Sequence, residues 1–272
     1  MRGRNRPKPY GSIKKDFSLE KNLTSNCFFV KKSQIQKNYA FIDGEEHHHL
    51  KNVVRIKPGN KVWLFDEEGN LYLAKVDKIS SKGTYLLMLE RKSKEPQRLT
   101  ITLAQAILKS NKMEFLIQKS TELGITAFIP VESARTIVRL QEKKERKIER
   151  WQRIAREAAK QCLRPMVPKI LPPQTLTQLI QERKEAKKLL LSEKEGKYLK
   201  EILFSSSNSG LKQEKPPQSL ILLTGPEGGW TEEEETNILR HGFEGVSLGQ
   251  YTLRAETASL SALAIISHFW NS

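Results

Sequence analysis

Two segments near the C-terminus carry the clearest structural signature of this chain: Leu220-Ile-Leu-Leu-Thr-Gly-Pro-Glu-Gly-Gly-Trp-Thr-Glu-Glu-Glu234 and Val246-Ser-Leu-Gly-Gln-Tyr-Thr-Leu-Arg-Ala-Glu-Thr-Ala258. In both, a short apolar strand runs into glycine and is followed by a helical pattern. A glycine at the end of a strand lets a ligand lie directly against the backbone, because it has no side chain. Either segment alone is equally typical of an ordinary strand-to-helix turn. Their pairing, which we expect at neighbouring strands, favours one ligand pocket built from both turns.

The turn after the first strand bends tightly. Pro226 and Glu227 stand between glycines, so one carboxylate is held at the tip of the turn. Thr231 and Glu234 have the spacing of a capping box and predict the start of the next helix. No Lys-Ser or Lys-Thr follows the glycines, and Gly-x-Gly-x-x-Gly is absent, which argues against a P-loop and a dinucleotide-binding fold.

The chain is strongly basic. Its 272 residues, enough for two domains, include 47 Lys and Arg against 31 Asp and Glu, a formal charge of +16. Such an excess favours a polyanionic partner through charge neutralisation and counterion release. Ribosomal RNA and transfer RNA meet this requirement, and an acidic membrane surface does as well.

The two cysteines indicate neither a disulfide framework nor a zinc site. Cys27 and Cys162 lie far apart and belong to no Cys-x-x-Cys or Cys/His spacing. No apolar run approaches the length of a membrane span, and no apolar signal core follows the basic N-terminus. We therefore expect a cytoplasmic protein that binds no metal and no membrane.

The pattern of the first 97 residues predicts two parts. Residues 1–26 are rich in Arg, Lys, Asn, Ser and Pro, which predicts a disordered basic extension, either a solubilising tail or an arm that reaches RNA. Residues 27–97 contain short strands separated by turns, which is typical of a small β-barrel. The expected strands are 62–65, 71–76 and 85–89.

Residues 98–272 alternate strands with helices, which predicts an α/β domain with a parallel sheet and helices on both faces. Residues 205–217, full of Ser, Asn, Lys and Pro, predict a flexible excursion between two core strands. The expected strands are 99–106, 127–131, 188–191 and 220–223, and the expected helices are 112–123 and 143–162.

These residues resemble a known family. Thr224-Gly-Pro-Glu-Gly-Gly229, Ser247-Leu-Gly249 and Leu253-Arg-Ala-Glu-Thr-Ala258 are similar to the knotted SPOUT RNA methyltransferases, and most of all to the RsmE branch. Further matches are His47-His-His-Leu50 upstream of Val54-Arg55, Gln118-Lys-Ser-Thr-Glu-Leu-Gly124 and Trp151-Gln-Arg-Ile-Ala-Arg-Glu-Ala-Ala-Lys-Gln161. The resemblance runs from Cys27 to the C-terminus, so the basic extension lies outside it.

The resemblance implies a reaction, a fold and a set of contacts. The family methylates N3 of a uridine in 16S ribosomal RNA, expected to be uridine 1498 in the decoding region of the small subunit. It implies a PUA-like RNA-binding barrel over residues 27–97, a trefoil-knotted methyltransferase domain over 98–272, S-adenosylmethionine as cofactor and a homodimer. The implied cofactor contacts are Ser192, Glu193, Thr224, Gly225, Pro226, Glu227, Gly228, Gly229, Leu248, Gly249, Leu253, Arg254, Thr257 and Ala258.

Methylation at N3 needs more than alignment of the reactants, because N3 of uracil carries a proton and is a weak nucleophile until that proton leaves. Arg254 is the candidate for stabilising the negative charge that then spreads over O2, N3 and O4, since guanidinium is always charged and donates from several positions. Its competing role is a salt bridge to Glu256 or Glu227 that only fixes the loop. Either carboxylate is a candidate for accepting the proton or for orienting Arg254.

Three adjacent histidines invite a metal interpretation, but neighbouring side chains diverge and chelate poorly. The resemblance instead places this segment near the RNA-facing side, where it leads into basic residues. An ordinary solvated surface position fits any single candidate nearly as well. The candidate RNA contacts are His47, His48, His49, Arg55, Lys57, Arg153 and Arg156.

Two other functions stand beside this one. A catalytically silent RNA-binding or ribosome-assembly protein would keep the fold, but the intact glycine turns and Leu253-Arg-Ala-Glu-Thr257 favour an enzyme. A SPOUT enzyme for another RNA, such as transfer RNA, is disfavoured by the N-terminal barrel and the histidine segment, on resemblance alone.

Overall fold

The computed structural model describes residues 27–92, 99–136, 144–162, 164, 166–192, 196–207 and 210–270. The predicted extension at residues 1–26 and the predicted domain boundary at residue 97 lie outside these ranges. The chain divides into two compact units. Unit 1 holds the described residues up to Leu64 together with 72–90, and unit 2 holds residues 65–71 and the chain from Arg91 onwards.

The strands of unit 1 form one six-stranded sheet in the order β1-β4-β5-β6-β3-β2. All three strands expected from the sequence are present. In β5, buried and exposed side chains largely alternate, as expected for a strand with one face on a core. The strands are β1 (Cys27–Phe29), β2 (Ile35–Gln36), β3 (Tyr39–Ile42), β4 (Lys61–Phe65), β5 (Leu71–Ile79) and β6 (Thr84–Lys92).

One short helix of unit 1 carries the three histidines. Helix α1 (Gly44–His48) continues into a π-helical turn at His49–Val53. Leu50 on this turn is fully buried in the core of the unit. The chain then passes through Arg55, whose φ of +58° lies in the left-handed region that residues with a side chain rarely adopt.

The main sheet of unit 2 is parallel, as the sequence predicts. Its strand order is β10-β8-β7-β15-β11-β16-β12, with β9 also paired to β8. The strands are β7 (Thr100–Ala106), β8 (Ala127–Glu132), β9 (Lys169–Ile170), β10 (Gln174–Thr175), β11 (Lys187–Leu191), β12 (Lys197–Tyr198), β13 (Phe204–Ser207), β14 (Gly210–Gln213), β15 (Ser219–Thr224) and β16 (Glu244–Ser247). The helices are α2 (Ser110–Glu122), α3 (Lys144–Gln161), α4 (Leu176–Glu182), α5 (Leu199–Leu203), α6 (Glu232–Arg240) and α7 (Ala255–Trp270).

Helices cover both faces of this sheet, which confirms the predicted arrangement. Successive residues of β15 point to opposite faces: Leu220 and Leu222 join a core with α2, α3 and α7, whereas Ile221 and Leu223 join a second core with α4 and α6. A strand buried on both sides reads as a continuous apolar run. This is why 220–223 contains only Leu and Ile.

One expectation about this unit is wrong. The strands β15 and β16, which precede the two glycine turns, are not neighbours, because β11 pairs with both of them. The segment expected to be an excursion between two core strands does lie off the main sheet, where β13 and β14 form an antiparallel hairpin, and its flexibility stays a prediction. Backbone pairing does not require apolar side chains, and Phe204 anchors the hairpin by edge-to-face packing on Phe269, with ring centroids 5.0 Å apart.

Candidate functional site

A cavity of about 600 Å³ lies where β11, β15 and β16 end. Ligands of open parallel sheets bind outside the carboxyl ends of the strands, and this cavity has that position. It is lined by the first turn (residues 225–229, after β15) and the second turn (residues 248–254, after β16). The predicted cofactor contacts that line it are Ser192, Thr224, Gly225, Pro226, Glu227, Gly228, Gly229, Leu248, Gly249, Leu253, Arg254 and Ala258.

Two predicted contacts are not among the lining residues. Thr257 lies in the first turn of α7 with an exposed side chain. Glu193 lies outside the described residues, so its prediction is not tested.

The first turn is held in place by the buried side-chain amide of Gln105. Gln105 on β7 donates a hydrogen bond from Nε2 to the Gly225 carbonyl at 2.9 Å, and its Oε1 accepts one from Ser259 Oγ of α7 at 2.6 Å. Gln105 and Ser259 are both fully buried. The amide therefore ties β7, the first turn and α7 together in a region where an unpaired polar group would be costly.

The outer side of the first turn is also held. Arg135, in the loop after β8, donates from Nη1 to the Gly228 carbonyl at 2.7 Å. Thr231 and Glu234 form the predicted capping box at the start of α6. Gly229 has φ of +68°, a left-handed value that favours glycine. The bend of this turn is thus fixed by glycine and by bonds from two other elements.

The second turn is open by comparison. Residues 249–252 are exposed, and Tyr251 retains 77% of its accessible surface. Ser247 Oγ donates to the Gly249 carbonyl at 3.1 Å and accepts from the Gly249 N–H at 3.3 Å. Gly249 has φ of +151°, which residues with a side chain rarely adopt. The hydrogen bonds described for the second turn therefore join residues that are close in sequence.

The charged centre of the cavity contains a residue that sequence reasoning missed. Lys112 Nζ lies 3.4 Å from Glu227 Oε1 and 3.4 Å from Glu256 Oε2. Among the described residues Arg254 makes no ion pair with either carboxylate, and Lys112 occupies that place. Arg254 is exposed and lines the cavity. The position of Lys112 in the first turn of a helix that follows a central strand was the available signal.

Buried polar atoms at the cavity are compatible with a polar ligand. Thr224 Oγ1 and Trp230 Nε1 are buried and have no hydrogen-bond partner among the described residues, and both residues line the cavity. Buried donors and acceptors are nearly always paired, so an orphaned pair in a cavity wall indicates partners supplied by a ligand or water. Backbone groups of the two glycine turns would add further contacts.

Sequence comparison gives the family of this chain. The RNA methyltransferase domain family matches residues 94–267, and the RNA methyltransferase PUA domain family matches residues 42–87. Ribosomal RNA small subunit methyltransferase E of Bacillus subtilis is 35% identical over 241 residues, covering 87% of this chain and 93% of that protein. The chain belongs to the RsmE family of RNA methyltransferases. It is therefore a methyltransferase of SPOUT fold preceded by a PUA domain.

Solved structures of this RNA methyltransferase family share the whole fold. Ribosomal RNA small subunit methyltransferase E of Neisseria gonorrhoeae, bound to S-adenosylmethionine, superposes with a TM-score of 0.77 at 30% identity over 90% of this chain and 98% of that one. A methyltransferase of Legionella pneumophila, also with bound cofactor, gives 0.78 at 29% identity over 89% and 96%. The resemblance stated from the motifs is confirmed.

In unit 1 of this methyltransferase, one predicted RNA contact is corrected. His47 is 8% exposed, and its Nδ1 lies 2.8 Å from Thr84 Oγ1. Burial, followed by the nearby charges of Lys51 and His48, lowers the pKa of His47. Its side chain serves the interior of the unit, because a helix turns adjacent side chains in different directions.

The other predicted RNA contacts differ in exposure. His48, Arg55, Lys57 and Arg153 are exposed, whereas His49 and Arg156 are half-buried. The His49 ring packs near Phe28 with centroids 5.8 Å apart. Arg150, on the same helix as Arg153, is held by both oxygens of Glu114 at 2.7 and 2.8 Å. Arg55, Lys57 and Arg153 therefore present positive charge to solvent.

In the described part of the chain, no cluster of three or more His, Cys, Asp and Glu side chains is arranged to hold a metal ion. No helix in the same residues has the length and apolarity to cross a membrane.

Proposed function

We propose that this methyltransferase transfers a methyl group from S-adenosylmethionine to N3 of uridine 1498 in 16S ribosomal RNA and so contributes to maturation of the small ribosomal subunit. Its relatives named ribosomal RNA small subunit methyltransferase E support this substrate. The observation that carries the proposal is one cavity lined by both glycine turns, Glu227 and Arg254.

The cavity residues fit the cofactor. Bound S-adenosylmethionine supplies an electrophilic methyl group on a sulfonium. The unpaired Thr224 Oγ1 and Trp230 Nε1, together with backbone groups of the two turns, would hold its polar parts. Leu248 and Leu253, both half-buried at the cavity wall, would pack on the adenine ring.

The acceptor base needs an anion-stabilising group and a proton acceptor. Arg254, exposed and unpaired with either carboxylate, is free to donate to the uracil oxygens as negative charge develops on them. Glu227 or Glu256 would accept the N3 proton, since both are fixed by Lys112 beside the cavity. Alignment of the base against the methyl group supplies the rest.

The RNA is held by basic surface. Within residues 27–97, exposed His48, Arg55 and Lys57 would contact phosphate or base edges, with half-buried His49 beside them. In residues 98–272, Arg153 and Arg156 on α3 would add to the field that attracts RNA. The uridine must be unpaired or flipped out, because its N3 edge is otherwise inaccessible.

A homodimer and a cytoplasmic location complete the proposal. Helix α7 leaves Ala264, Ile265 and His268 exposed, and Ile265 keeps 37% of its surface. An apolar helix face of this kind would be covered by a second copy. Sedimentation of the wild type and of Ile265→Glu tests it: a dimer that becomes a monomer is expected, and a wild-type monomer contradicts it. The ribosomal substrate implies the cytoplasm.

The test of the reaction uses small subunits from cells that lack this protein. Purified enzyme and methyl-labelled cofactor are added, and the nucleosides are analysed by mass spectrometry. Labelled 3-methyluridine is expected at one position of 16S RNA. A different labelled nucleoside would contradict the substrate, and absence of label with a folded, cofactor-binding protein would leave a silent RNA-binding factor.

A further inference from the structure

We propose that the exposed ring of Tyr251 stacks on the uracil that receives the methyl group and holds this base at the cavity. The inference rests on the proposed methylation of uridine and names a substrate-binding residue for it. Tyr251 belongs to the second turn, between the segments Ser247-Leu-Gly249 and Leu253-Arg-Ala-Glu-Thr-Ala258 that carry the family resemblance. It is therefore a residue to which those motifs assign no role.

Tyr251 combines high exposure with a place at the cavity. It retains 77% of its accessible surface and is one of the lining residues. Two other exposed aromatic residues of the same unit, Phe115 and Tyr198, keep 46% each and lie outside the lining. Within the described residues, the ring of Tyr251 has no stacking or hydrogen-bond partner. Its apolar faces are thus available to a ligand that enters the cavity.

The other aromatic residue of the described lining, Trp230, is already packed inside the protein. It is 7% exposed. Its indole lies so close to Gly225 that a methyl group added to that glycine would meet Nε1 at 3.1 Å and Cε2 at 3.2 Å. The indole therefore packs against the backbone of the first turn, with little surface left for a base. Tyr251 is the aromatic group of this lining that a base could reach.

The chemistry at N3 leaves both faces of the uracil uncovered. The electron pair that N3 uses lies in the plane of the ring, so the methyl donor and the groups that contact N3, O2 and O4 approach its edge. Arg254, three residues after Tyr251, is the proposed donor at that edge. A base taken out of its stack loses its face contacts, and base-flipping enzymes replace them with aromatic or apolar side chains. Stacking on an aromatic ring stabilises an unpaired base in this way.

The second turn allows the ring to settle on a base. Residues 249–252 are exposed, so Tyr251 stands between two exposed polar neighbours, Gln250 and Thr252. The hydrogen bonds described for this turn join Ser247 and Gly249, and neither involves Tyr251. A tyrosine side chain has only two rotatable bonds and loses little conformational entropy when a ligand orders it. Stacking of the base on this ring therefore has a small entropic cost.

The first experiment separates an aromatic ring from apolar bulk. Tyr251→Phe keeps the ring without the hydroxyl, and Tyr251→Leu keeps apolar bulk without the ring. Tyr198→Leu is the matched control, because Tyr198 is an exposed tyrosine of the same unit outside the cavity lining. Single-turnover methylation is measured over a range of small-subunit concentrations, and cofactor affinity is measured by calorimetry.

For Tyr251→Leu we expect the ratio of maximal rate to half-saturating subunit concentration to fall by about 5-fold to 100-fold. Tyr251→Phe and Tyr198→Leu should stay within about 2-fold of wild type, and cofactor affinity should stay within about 2-fold in all three. Equal ratios for Tyr251→Leu and Tyr251→Phe would overturn the proposal. So would a loss of cofactor affinity as large as the loss in that ratio, since the ring would then serve the cofactor.

The second experiment identifies the base that the ring contacts. 5,6-Dihydrouridine keeps O2, N3–H and O4, but its saturated, puckered ring stacks poorly. Small subunits reconstituted with uridine or dihydrouridine at the acceptor position are compared for binding in the presence of S-adenosylhomocysteine, which has no methyl group to donate. Wild type should prefer the uridine subunits by about 3-fold to 30-fold, and Tyr251→Leu should lose that preference.

A preference that is equal in wild type and Tyr251→Leu, or that is absent from wild type, overturns the assignment of Tyr251 to the acceptor base. This comparison needs no methyl transfer, so it stands apart from the rate measurement. Absence of methylation of uridine subunits by wild type would instead refute the proposed function.

Discussion

The first and second turns line the same cavity, yet they are held in opposite ways. Gly225 and Pro226 of the first turn are buried, and the turn receives hydrogen bonds from Gln105 and Arg135. The second turn is exposed from 249 to 252 and is bonded to its neighbour Ser247. A backbone fixed from several elements keeps its shape before a ligand arrives. We infer that the first turn is the preformed half of the site.

The largest effect on the methylation rate should come from Arg254, the candidate catalytic residue of the exposed second turn. Arg254→Ala is expected to lower the single-turnover rate by about 100-fold to 1,000-fold, because removing a preorganised donor to developing negative charge has that cost. Cofactor affinity, measured by calorimetry, should change by less than about 3-fold, since the first turn is intact. Arg240→Ala, at the end of α6, is the control. Equal loss of affinity and rate would show that Arg254 serves the cofactor instead.

The buried fastening of the first turn is tested by Ser259→Ala. The change leaves Gln105 Oε1 without its 2.6 Å donor, so the free energy of unfolding should fall by about 1–3 kcal/mol in urea denaturation. Cofactor affinity should fall with it, because the same amide orients the Gly225 carbonyl. Ser261→Ala, on the same helix and half-buried, is the comparison variant. An unfolding free energy equal to that of wild type would mean that the Ser259–Gln105 hydrogen bond does not stabilise the first turn.

The smallest expected effects come from a matched pair of substitutions, Gly229→Ala in the first turn and Gly249→Ala in the second. Comparing them tests whether the two turns differ in rigidity. Both glycines have positive φ, and an added Cβ would meet no atom within 4 Å at either site. The new methyl group therefore introduces backbone strain without a clash. We expect Gly229→Ala to lose about 1–2 kcal/mol of unfolding free energy, because the fastened turn cannot relax.

Gly249→Ala should keep most of its stability, since an exposed turn can change its backbone angles. Its loss should instead appear as weaker cofactor binding. Thermal unfolding and calorimetry on both variants measure these quantities. Equal stability losses would remove the distinction between a fixed and an open turn.

Much of this architecture was readable from the sequence because it depends on local pattern. The continuous apolar run 220–223 indicated a strand buried on both faces, and the Thr231 to Glu234 spacing predicted a capping box. The two glycine turns, the second of which ends at Arg254, were predicted to share a pocket, and they line one cavity. In each case the residues that interact lie within a few positions of one another, or follow strands of one parallel sheet.

The misplaced interpretations concern side chains whose surroundings come from elsewhere in the chain. His47 was predicted to contact RNA because the resemblance places its segment near the RNA-facing side, but its ring is buried and lies 2.8 Å from the hydroxyl of Thr84, 37 residues away. The polar segment at 205–217 was predicted to be a flexible excursion, but its composition did not indicate that part of its backbone pairs as a hairpin. Local composition indicates whether a residue favours water or the interior, whereas contacts with distant parts of the chain decide where it lies.

The sequence by itself therefore determined the parallel sheet, the two glycine turns and the family to which they belong. Short-range patterns and the alternation of strands with helices along the chain specify these features. Only the tertiary structure decided that Gln105 meets Ser259 across 154 residues, and that Lys112 stands between Glu227 and Glu256. Such contacts depend on how the helices α2 and α7 return to the ends of the strands. No periodicity within one segment encodes that path, because it is fixed by the packing of the whole unit.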